Sequence, residues 1–141
     1  MPVEEATMYQ DVCEKYNVHL IALLTPTSTD KRIALTCIRA KGFIYCVSIA
    51  GVTGDRKDLA PGLSKLVKNI RKHTDLPVLI GFGVSTREHI EAISGFAEGA
   101  VVGSALLNVI IESTEDNAIQ SVKEFIRRLL LEPDHSRGED V

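Results

Sequence analysis

Four short apolar runs, separated by segments with helical periodicity, constrain the fold of this chain more than any other feature of its sequence. The runs span residues 19–24, 43–48, 77–80 and 99–102. Each is too short for a helix and apolar on successive residues, which is typical of a strand buried on both faces. The alternation predicts an α/β architecture in which buried parallel strands are joined by crossover helices.

The segments between the runs carry signals for helices. A first helix is predicted over about residues 4–16, and cap residues at 28–30 and a proline at 61 begin the next two. A capping box at 85–88 opens the fourth helix, a short helical segment follows at 105–110, and a last helix covers about 115–131. The predicted order is therefore one helix followed by four βα units, in a class of fold that binds ligands at the carboxyl ends of its strands.

Composition narrows the choice of partners and compartment. The formal net charge is -3 and the basic residues are scattered, so we expect no nucleic-acid partner. No apolar run approaches the roughly 20 residues that span a bilayer, and residues 1–10 lack the pattern of a secretory signal. The three cysteines (Cys13, Cys37 and Cys46) show no CxxC spacing, which favours buried reduced thiols over a metal site. These features predict a cytoplasmic protein without membrane contact.

Two glycine turns follow neighbouring predicted strands. Gly81-Phe82-Gly83-Val84-Ser85 comes directly after the third run, and Gly103-Ser104 comes after the fourth. Glycines let backbone N–H groups approach an oxyanion closely, and the helix N-terminus behind each turn adds unpaired donors and the positive end of a dipole. Together the turns predict a site for a phosphate group, although a serine at 104 also serves as an ordinary N-cap.

The loop after the second run is long, contains two glycines and a threonine, and spans about residues 49–57. A loop of this length in an α/β unit is either a solvated connection or a segment that covers the ligand. General acid–base catalysis needs an ionisable side chain aimed into the site, and the predicted strand ends offer none. We therefore assign no catalytic residue, no metal and no cofactor to this chain.

These motifs resemble the tryptophan synthase alpha chain family. The resemblance rests on Phe43-Ile44-Tyr45 leading to Ala50-Gly51-Val52-Thr53-Gly54, on Leu76-Pro77-Val78 leading to the GFGVS turn, and on the GAVVGSA segment that begins at residue 99. It covers essentially the whole chain, but only the C-terminal half of the family. It implies a fold that is half of a (β/α)₈ TIM barrel, with about four parallel strands and flanking helices.

The resemblance also implies a function and a set of site residues. The family cleaves indole-3-glycerol phosphate to indole and glyceraldehyde 3-phosphate by a retro-aldol reaction, and it passes the indole to a pyridoxal-phosphate-containing beta chain. By this resemblance Gly54, Gly83, Gly103 and Ser104 bind the substrate phosphate. Tyr45 and Phe82 line the substrate pocket, and Thr53 is the loop threonine that meets a catalytic aspartate on closure.

The family's two catalytic carboxylates, a glutamate and an aspartate, belong to the N-terminal half, which this sequence does not include. A full barrel needs roughly 250 residues, so we expect residues 1–132 to form one half-barrel domain with a polar tail at 133–141, inactive by itself. Two alternatives stay open: half of another sugar-phosphate barrel enzyme, or a non-catalytic interaction module. A half-barrel exposes two strand edges, which predicts self-association, a complementing N-terminal half or a rearranged open sheet.

Overall fold

The computed structural model describes residues 6–47, 60–81 and 83–130. Within these ranges the elements follow the predicted order of a helix and then four βα units. They are α1 (Ala6–Lys15), β1 (Ala22–Leu24), α2 (Asp30–Arg39), β2 (Ile44–Val47), α3 (Ala60–Ile70), β3 (Val78–Gly81), α4 (Arg87–Ser94), β4 (Gly99–Val101), α5 (Ser104–Glu112) and α6 (Ala118–Leu130).

The four strands form one parallel sheet whose spatial order, β1-β2-β3-β4, is their order in the chain. Consecutive parallel strands joined by crossovers of one hand place their helices on the same face of the sheet, as in the wall of a barrel. The carboxyl ends of all four strands lie at the same edge of the sheet. We call the edge formed by their carboxyl ends the carboxyl rim, and the face opposite the helices the open face.

The hydrophobic core lies between the sheet and the helices. Burial alternates along β2, where Ile44 and Cys46 are fully buried and Tyr45 and Val47 are half-buried on the open face. The inner stripe of α3 consists of Leu63, Leu66, Val67 and Ile70, which are all buried. Burying an aliphatic side chain of this size contributes about 1.5–3 kcal/mol, so the contact between α3 and the sheet is a main source of stability.

Two helix starts differ from the sequence prediction. The cap of α4 is Thr86 and not Ser85, so the predicted capping box is wrong by one residue. The last helix begins at Ala118 instead of about residue 115, because the Asn117 side chain accepts a hydrogen bond from the Thr114 N–H and closes a turn there. Thr29 caps α2 within the predicted cap segment, its hydroxyl accepting from the Arg32 N–H at 3.3 Å.

Two of the three cysteines are buried, as predicted. Cys37 and Cys46 are buried free thiols, one on α2 and the other on β2. Cys13 on α1 is only partly buried, so the predicted burial of all three is wrong for this residue. The difference arises because the apolar residues beside Cys13 on α1 are themselves exposed.

Candidate functional site

Both glycine turns leave the sheet at the carboxyl rim. Gly81, the last residue of β3, pairs with Val101, the last residue of β4. Two residues further along each chain segment stand Gly83 and Gly103. Adjacent strands lie about 4.8 Å apart, so the two turns begin side by side at the same rim, as a shared anion requires.

The backbone at each glycine leaves room for a ligand. Gly83 has a φ of +77°, a left-handed conformation that L side chains rarely adopt. Gly103 has an ordinary negative φ of -118° and precedes α5 as its N-cap. A Cβ added at either position would meet no heavy atom of the described residues within 4 Å. The described backbone at Gly83 and Gly103 therefore has free space beside its main chain.

The N-terminus of α5 is open towards the rim. Its N-cap, Gly103, has no side chain to bond the first N–H groups, and the helix begins at Ser104. The Gly103 carbonyl already accepts the first helical hydrogen bond, from the Leu107 N–H at 3.1 Å. The N–H groups of the first turn and the positive end of the helix dipole are thus available to an anion. The predicted short helix at 105–110 is confirmed within α5.

The N-terminus of α4 is closed by its own side chains. The Thr86 hydroxyl accepts a hydrogen bond from the His89 N–H, and His89 Nδ1 accepts one from the Ser85 N–H at 3.3 Å. A hydrogen bond with Thr86 is also the largest cause that lowers the pKa of Glu88. His89 therefore has a structural role, and the main-chain donors left for an anion at this turn lie before Ser85.

Tyr45 extends along the open face towards the same rim. It pairs with Leu79 on β3, and its ring lies over Gly81, the residue two positions closer to the rim. A Cβ at Gly81 would lie 1.9 Å from the Tyr45 hydroxyl oxygen and 2.4 Å from Cζ. The tyrosine side chain thus lies beside the start of the first glycine turn, where a pocket wall is predicted.

The structure therefore brings together four of the seven predicted site residues. Gly83, Gly103 and Ser104 follow neighbouring strands at the carboxyl rim, and Tyr45 reaches towards it from β2. The other three, Thr53, Gly54 and Phe82, lie outside the described residues.

The sequence prediction does not include the contact between Gly81 and the predicted site residue Tyr45, because that contact depends on which residue of β2 lies beside Gly81. The GFG pattern marks Gly81 as part of a turn, but the strand register is what places the Tyr45 ring over it.

The described part of the carboxyl rim presents hydroxyl groups and main-chain donors. After β1, the Thr25 hydroxyl lies 2.9 Å from the Thr27 hydroxyl and 3.3 Å from the Ser28 hydroxyl. The first carboxylate beyond them, Asp30, accepts a hydrogen bond from the Asn69 side chain at 2.6 Å. This arrangement can bind and orient an anion.

A cavity of about 400 Å³ lies on the helix side of the sheet, between α2 and α3. It is lined by residues that include Pro26, Asp30, Lys65, Lys68 and Asn69, and by none of the predicted site residues. The cavity is therefore separate from the glycine turns.

Among residues 6–47, 60–81 and 83–130, no cluster of three or more His, Cys, Asp or Glu side chains could hold a metal ion. Within the same ranges no helix combines the length and apolar character needed to cross a membrane.

Comparison with known proteins identifies one family. The sequence model of the family described as "Tryptophan synthase alpha chain" matches residues 1–132. A tryptophan synthase alpha chain from Roseiflexus castenholzii is 43% identical over 129 residues, which are 92% of this chain and 49% of that protein. One from Methanocaldococcus jannaschii is 39% identical over 117 residues, 83% of this chain and 42% of that protein. The chain thus spans about half the length of the curated relatives it matches.

Solved structures give the same result. A structure from Pyrococcus furiosus, titled for the mutual activation of the tryptophan synthase α2β2 complex, aligns with a TM-score of 0.80 and 31% identity. The alignment covers 92% of this chain and 52% of that one. The tryptophan synthase subunit alpha from Campylobacter jejuni aligns with a TM-score of 0.76 and 30% identity. That alignment covers 86% of this chain and 49% of the Campylobacter jejuni chain. The predicted fold class, half of a TIM barrel with four parallel strands, is confirmed.

Proposed function

Because the chain belongs to the tryptophan synthase alpha chain family, we propose that it is the phosphate-binding half of a lyase of tryptophan biosynthesis. The substrate of that lyase is indole-3-glycerol phosphate, which a retro-aldol reaction cleaves to indole and glyceraldehyde 3-phosphate. The observation that carries the proposal is the pairing of Gly81 with Val101, because it starts two glycine turns side by side at one rim.

The phosphate lies between the two turns in this proposal. Main-chain N–H groups near Gly83 and in the first turn of α5 donate to its oxygens, and the Ser104 hydroxyl supplies a further donor. The open N-terminus of α5 favours the charge of the anion through the helix dipole. Gly54 belongs to the same phosphate site by the family resemblance.

The remainder of the substrate lies against the open face. Tyr45 forms one wall of the pocket, since its ring already extends to the end of β3. By the family resemblance Phe82 forms a second wall, and Thr53 contacts a catalytic aspartate when the loop covers the substrate. The chain thus binds and orients a substrate whose reacting carbon is acted on from elsewhere.

Cleavage of the carbon–carbon bond needs ionisable groups that move protons to and from the substrate. In the family these are a glutamate and an aspartate that follow early strands, in the half that this sequence does not include. We therefore expect no turnover by the chain alone. The partners are a complementing N-terminal half and a tryptophan synthase beta chain, and the functional domain is residues 1–132, followed by a polar tail.

Binding of indole-3-glycerol phosphate, measured by isothermal titration calorimetry, tests the phosphate site. Ser104→Asp places a negative charge at the open N-terminus of α5 and should weaken binding by about tenfold or more, because like charges repel strongly at short distance. Asn108→Asp is the matched control, since it adds the same charge to the exposed side of the same helix. Equal binding by both variants and the unmodified chain would contradict the site.

A turnover assay tests whether cleavage of the substrate requires the other half of the barrel. The chain alone should release no indole, and addition of the uncovered half of the Roseiflexus castenholzii relative should restore release. Robust indole formation by the chain alone would refute the proposed inactivity. A pull-down with a tryptophan synthase beta chain is read together with this assay. A module that only binds would be retained by the beta chain but would release no indole even with the other half present.

A further inference from the structure

The cavity between α2 and α3 is lined by basic side chains that the proposed function does not use. Three lysines line it: Lys65 and Lys68 on α3, and Lys72 just after the end of that helix. We call them the cavity lysines. Spacings of three and four residues place side chains on one face of a helix, so the three positive charges share one wall of the cavity.

The cavity lysines have no carboxylate partner within residues 6–47, 60–81 and 83–130. By contrast, Lys41 pairs with Glu14 at 2.7 Å, and Arg87 pairs with Glu91 at 2.6 Å. Neighbouring ammonium groups repel one another where no counter-charge lies between them. An anion that binds among the cavity lysines would relieve this repulsion.

The rest of the lining leaves the cavity positive. Asp30 is its one carboxylate among the described residues, and that carboxylate accepts a hydrogen bond from the Asn69 side chain at 2.6 Å. Three lysines against this aspartate give a net charge of +2. Gly62 also lines the cavity from the first turn of α3, which carries no acidic residue, so the positive end of the helix dipole adds to the lysines. The lining therefore suits a ligand with at least two negative charges.

The size and shape of the cavity indicate a small molecule. Its volume of about 400 Å³ lies within the range of roughly 300–1,000 Å³ that small-molecule sites occupy. The cavity lysines extend over about 10 Å of helix axis, at a rise of about 1.5 Å per residue. Two linked phosphate groups match such a row of charges better than a single phosphate does. Pro26, Ile33 and Leu66 complete the lining and offer an apolar contact to whatever the phosphate groups are attached to.

Both walls of the cavity belong to this chain. The helix α2 joins β1 to β2, and α3 joins β2 to β3, so the cavity does not depend on what lies beyond either edge of the sheet. We propose that it is a second anion site, which binds a small molecule carrying a diphosphate group. The proposal does not depend on the substrate phosphate site, which lies at the glycine turns.

Isothermal titration calorimetry with inorganic pyrophosphate and with ADP tests the site, in a buffer without divalent cations. Both should bind, and inorganic phosphate should bind about tenfold more weakly or less, since it carries fewer charges. Tighter binding of ADP than of pyrophosphate would identify a nucleoside diphosphate as the ligand, and equal or weaker binding of ADP would identify the inorganic ion. The proposal is overturned if neither binds below about 1 mM, or if phosphate binds as tightly as pyrophosphate.

A double substitution tests where the diphosphate binds. Lys65→Gln/Lys68→Gln should raise the dissociation constant for pyrophosphate about tenfold or more, because two charge-assisted contacts are lost. Lys15→Gln/Lys123→Gln is the matched control, since it removes the same charge from exposed helix positions outside the cavity. Equal weakening by the two double variants would show that pyrophosphate responds only to net charge, and the site would be wrong.

Ser104→Asp separates this site from the proposed substrate site. It should weaken binding of indole-3-glycerol phosphate and leave in place the pyrophosphate binding that Lys65→Gln/Lys68→Gln removes. The opposite pattern, in which only Ser104→Asp removes pyrophosphate binding, would show that the diphosphate occupies the glycine turns instead.

Acetylation with acetic anhydride, read by mass spectrometry, locates the ligand without any substitution. Pyrophosphate should protect the cavity lysines and leave Lys15 and Lys123 reactive, because only the former line the cavity. Equal modification of all five lysines with and without pyrophosphate would refute the proposal.

Discussion

The hydroxyl of Tyr45 occupies the space that any side chain at position 81 would need. The Cβ of a residue there would lie 1.9 Å from the hydroxyl oxygen, a separation that no real Cβ atom shows. Gly81→Ala should therefore displace the tyrosine and cost about 1–3 kcal/mol of the free energy of unfolding. Adding Tyr45→Ala to the same chain should remove most of that cost. Chemical denaturation of the unmodified chain, the two single variants and the double variant measures the coupling free energy between the two residues.

Gly99→Ala is the control for this pair, because Gly99 lies on the same open face and its Cβ would meet only the Leu79 Cδ2 atom, at 3.0 Å. The end of a leucine side chain can move, so the cost should be smaller than at Gly81. If Gly81→Ala is no more costly with Tyr45 present than without it, the tyrosine ring does not lie where the structure places it.

Alanine substitutions at Gly83 and Gly103 should separate the effect of backbone strain on stability from the effect of an added side chain on ligand binding. Gly83→Ala puts a side chain at a φ of +77° and should cost about 1–2 kcal/mol of stability. Gly103→Ala should cost less, because its φ of -118° lies outside the left-handed region and the added methyl meets no described atom within 4 Å. Both methyl groups stand where the phosphate is proposed to approach, so both variants should bind it more weakly. Unchanged binding by Gly103→Ala would count against that approach.

Glu98 links the amino ends of β3 and β4. Its carboxylate accepts hydrogen bonds from the Val78 N–H at 2.7 Å and from Arg71, which also donates to the Leu76 carbonyl at 2.7 Å. Burial tends to raise the pKa of Glu98, but the hydrogen bonds from Val78 and Arg71 outweigh it and lower the pKa. A carboxyl whose pKa is lowered on folding stabilises the native state above its ordinary pKa, and this contribution is lost as the pH falls below it.

Glu98→Gln should therefore reduce the free energy of unfolding by about 1 kcal/mol at pH 7, a modest value because the side chain is half exposed. The difference from the unmodified chain should shrink towards pH 3. Glu91→Gln removes an exposed ion pair with Arg87 on α4 and should have a smaller effect. A difference for Glu98→Gln that persists unchanged at pH 3 would show that its charge is not what stabilises the sheet.

Most of the fold could be predicted because it depends on local pattern. The apolar runs mark β1 to β4, and the glycines that follow β3 and β4 mark turns wherever they occur. The contact between Tyr45 and Gly81 could not be predicted, since it depends on strand register, which a single sequence does not state. The cap of α4 could not be predicted either. Ser85 and Thr86 are both good N-caps, and the hydrogen bond from the Ser85 N–H to His89 Nδ1 sets the register.

Helix stripes show a second limit of prediction. Apolar residues recur at helical spacing along α6, but only Phe125 and Leu129 among them are buried, while Ile119 and Leu130 are exposed. Periodicity states which face of a helix is apolar, and it does not state whether this chain or another one covers that face.

Cys46 provides a test of the core in alkaline solution. Burial, followed by the neighbouring Cys37 thiol, raises the pKa of Cys46 to about 12, and burial also raises the pKa of Cys37. An unfolded cysteine loses its proton near pH 9, so the stabilising effect of the protonated thiol is complete below that pH and is lost as the pH rises towards 12. The free energy of unfolding should fall across this range by up to about 1.4 kcal/mol per pH unit for each such thiol.

Cys46→Ala should show a shallower alkaline slope than the unmodified chain, and the comparison of slopes excludes the separate cost of removing a buried sulfur atom. Labelling with Ellman's reagent at pH 8 gives an independent readout, because the reagent needs an accessible thiolate. Cys13, which is only partly buried, should react first, and Cys37 and Cys46 should react at the rate of unfolding. Equal fast labelling of all three thiols would mean that the layer between α2 and the sheet is not packed as the structure shows.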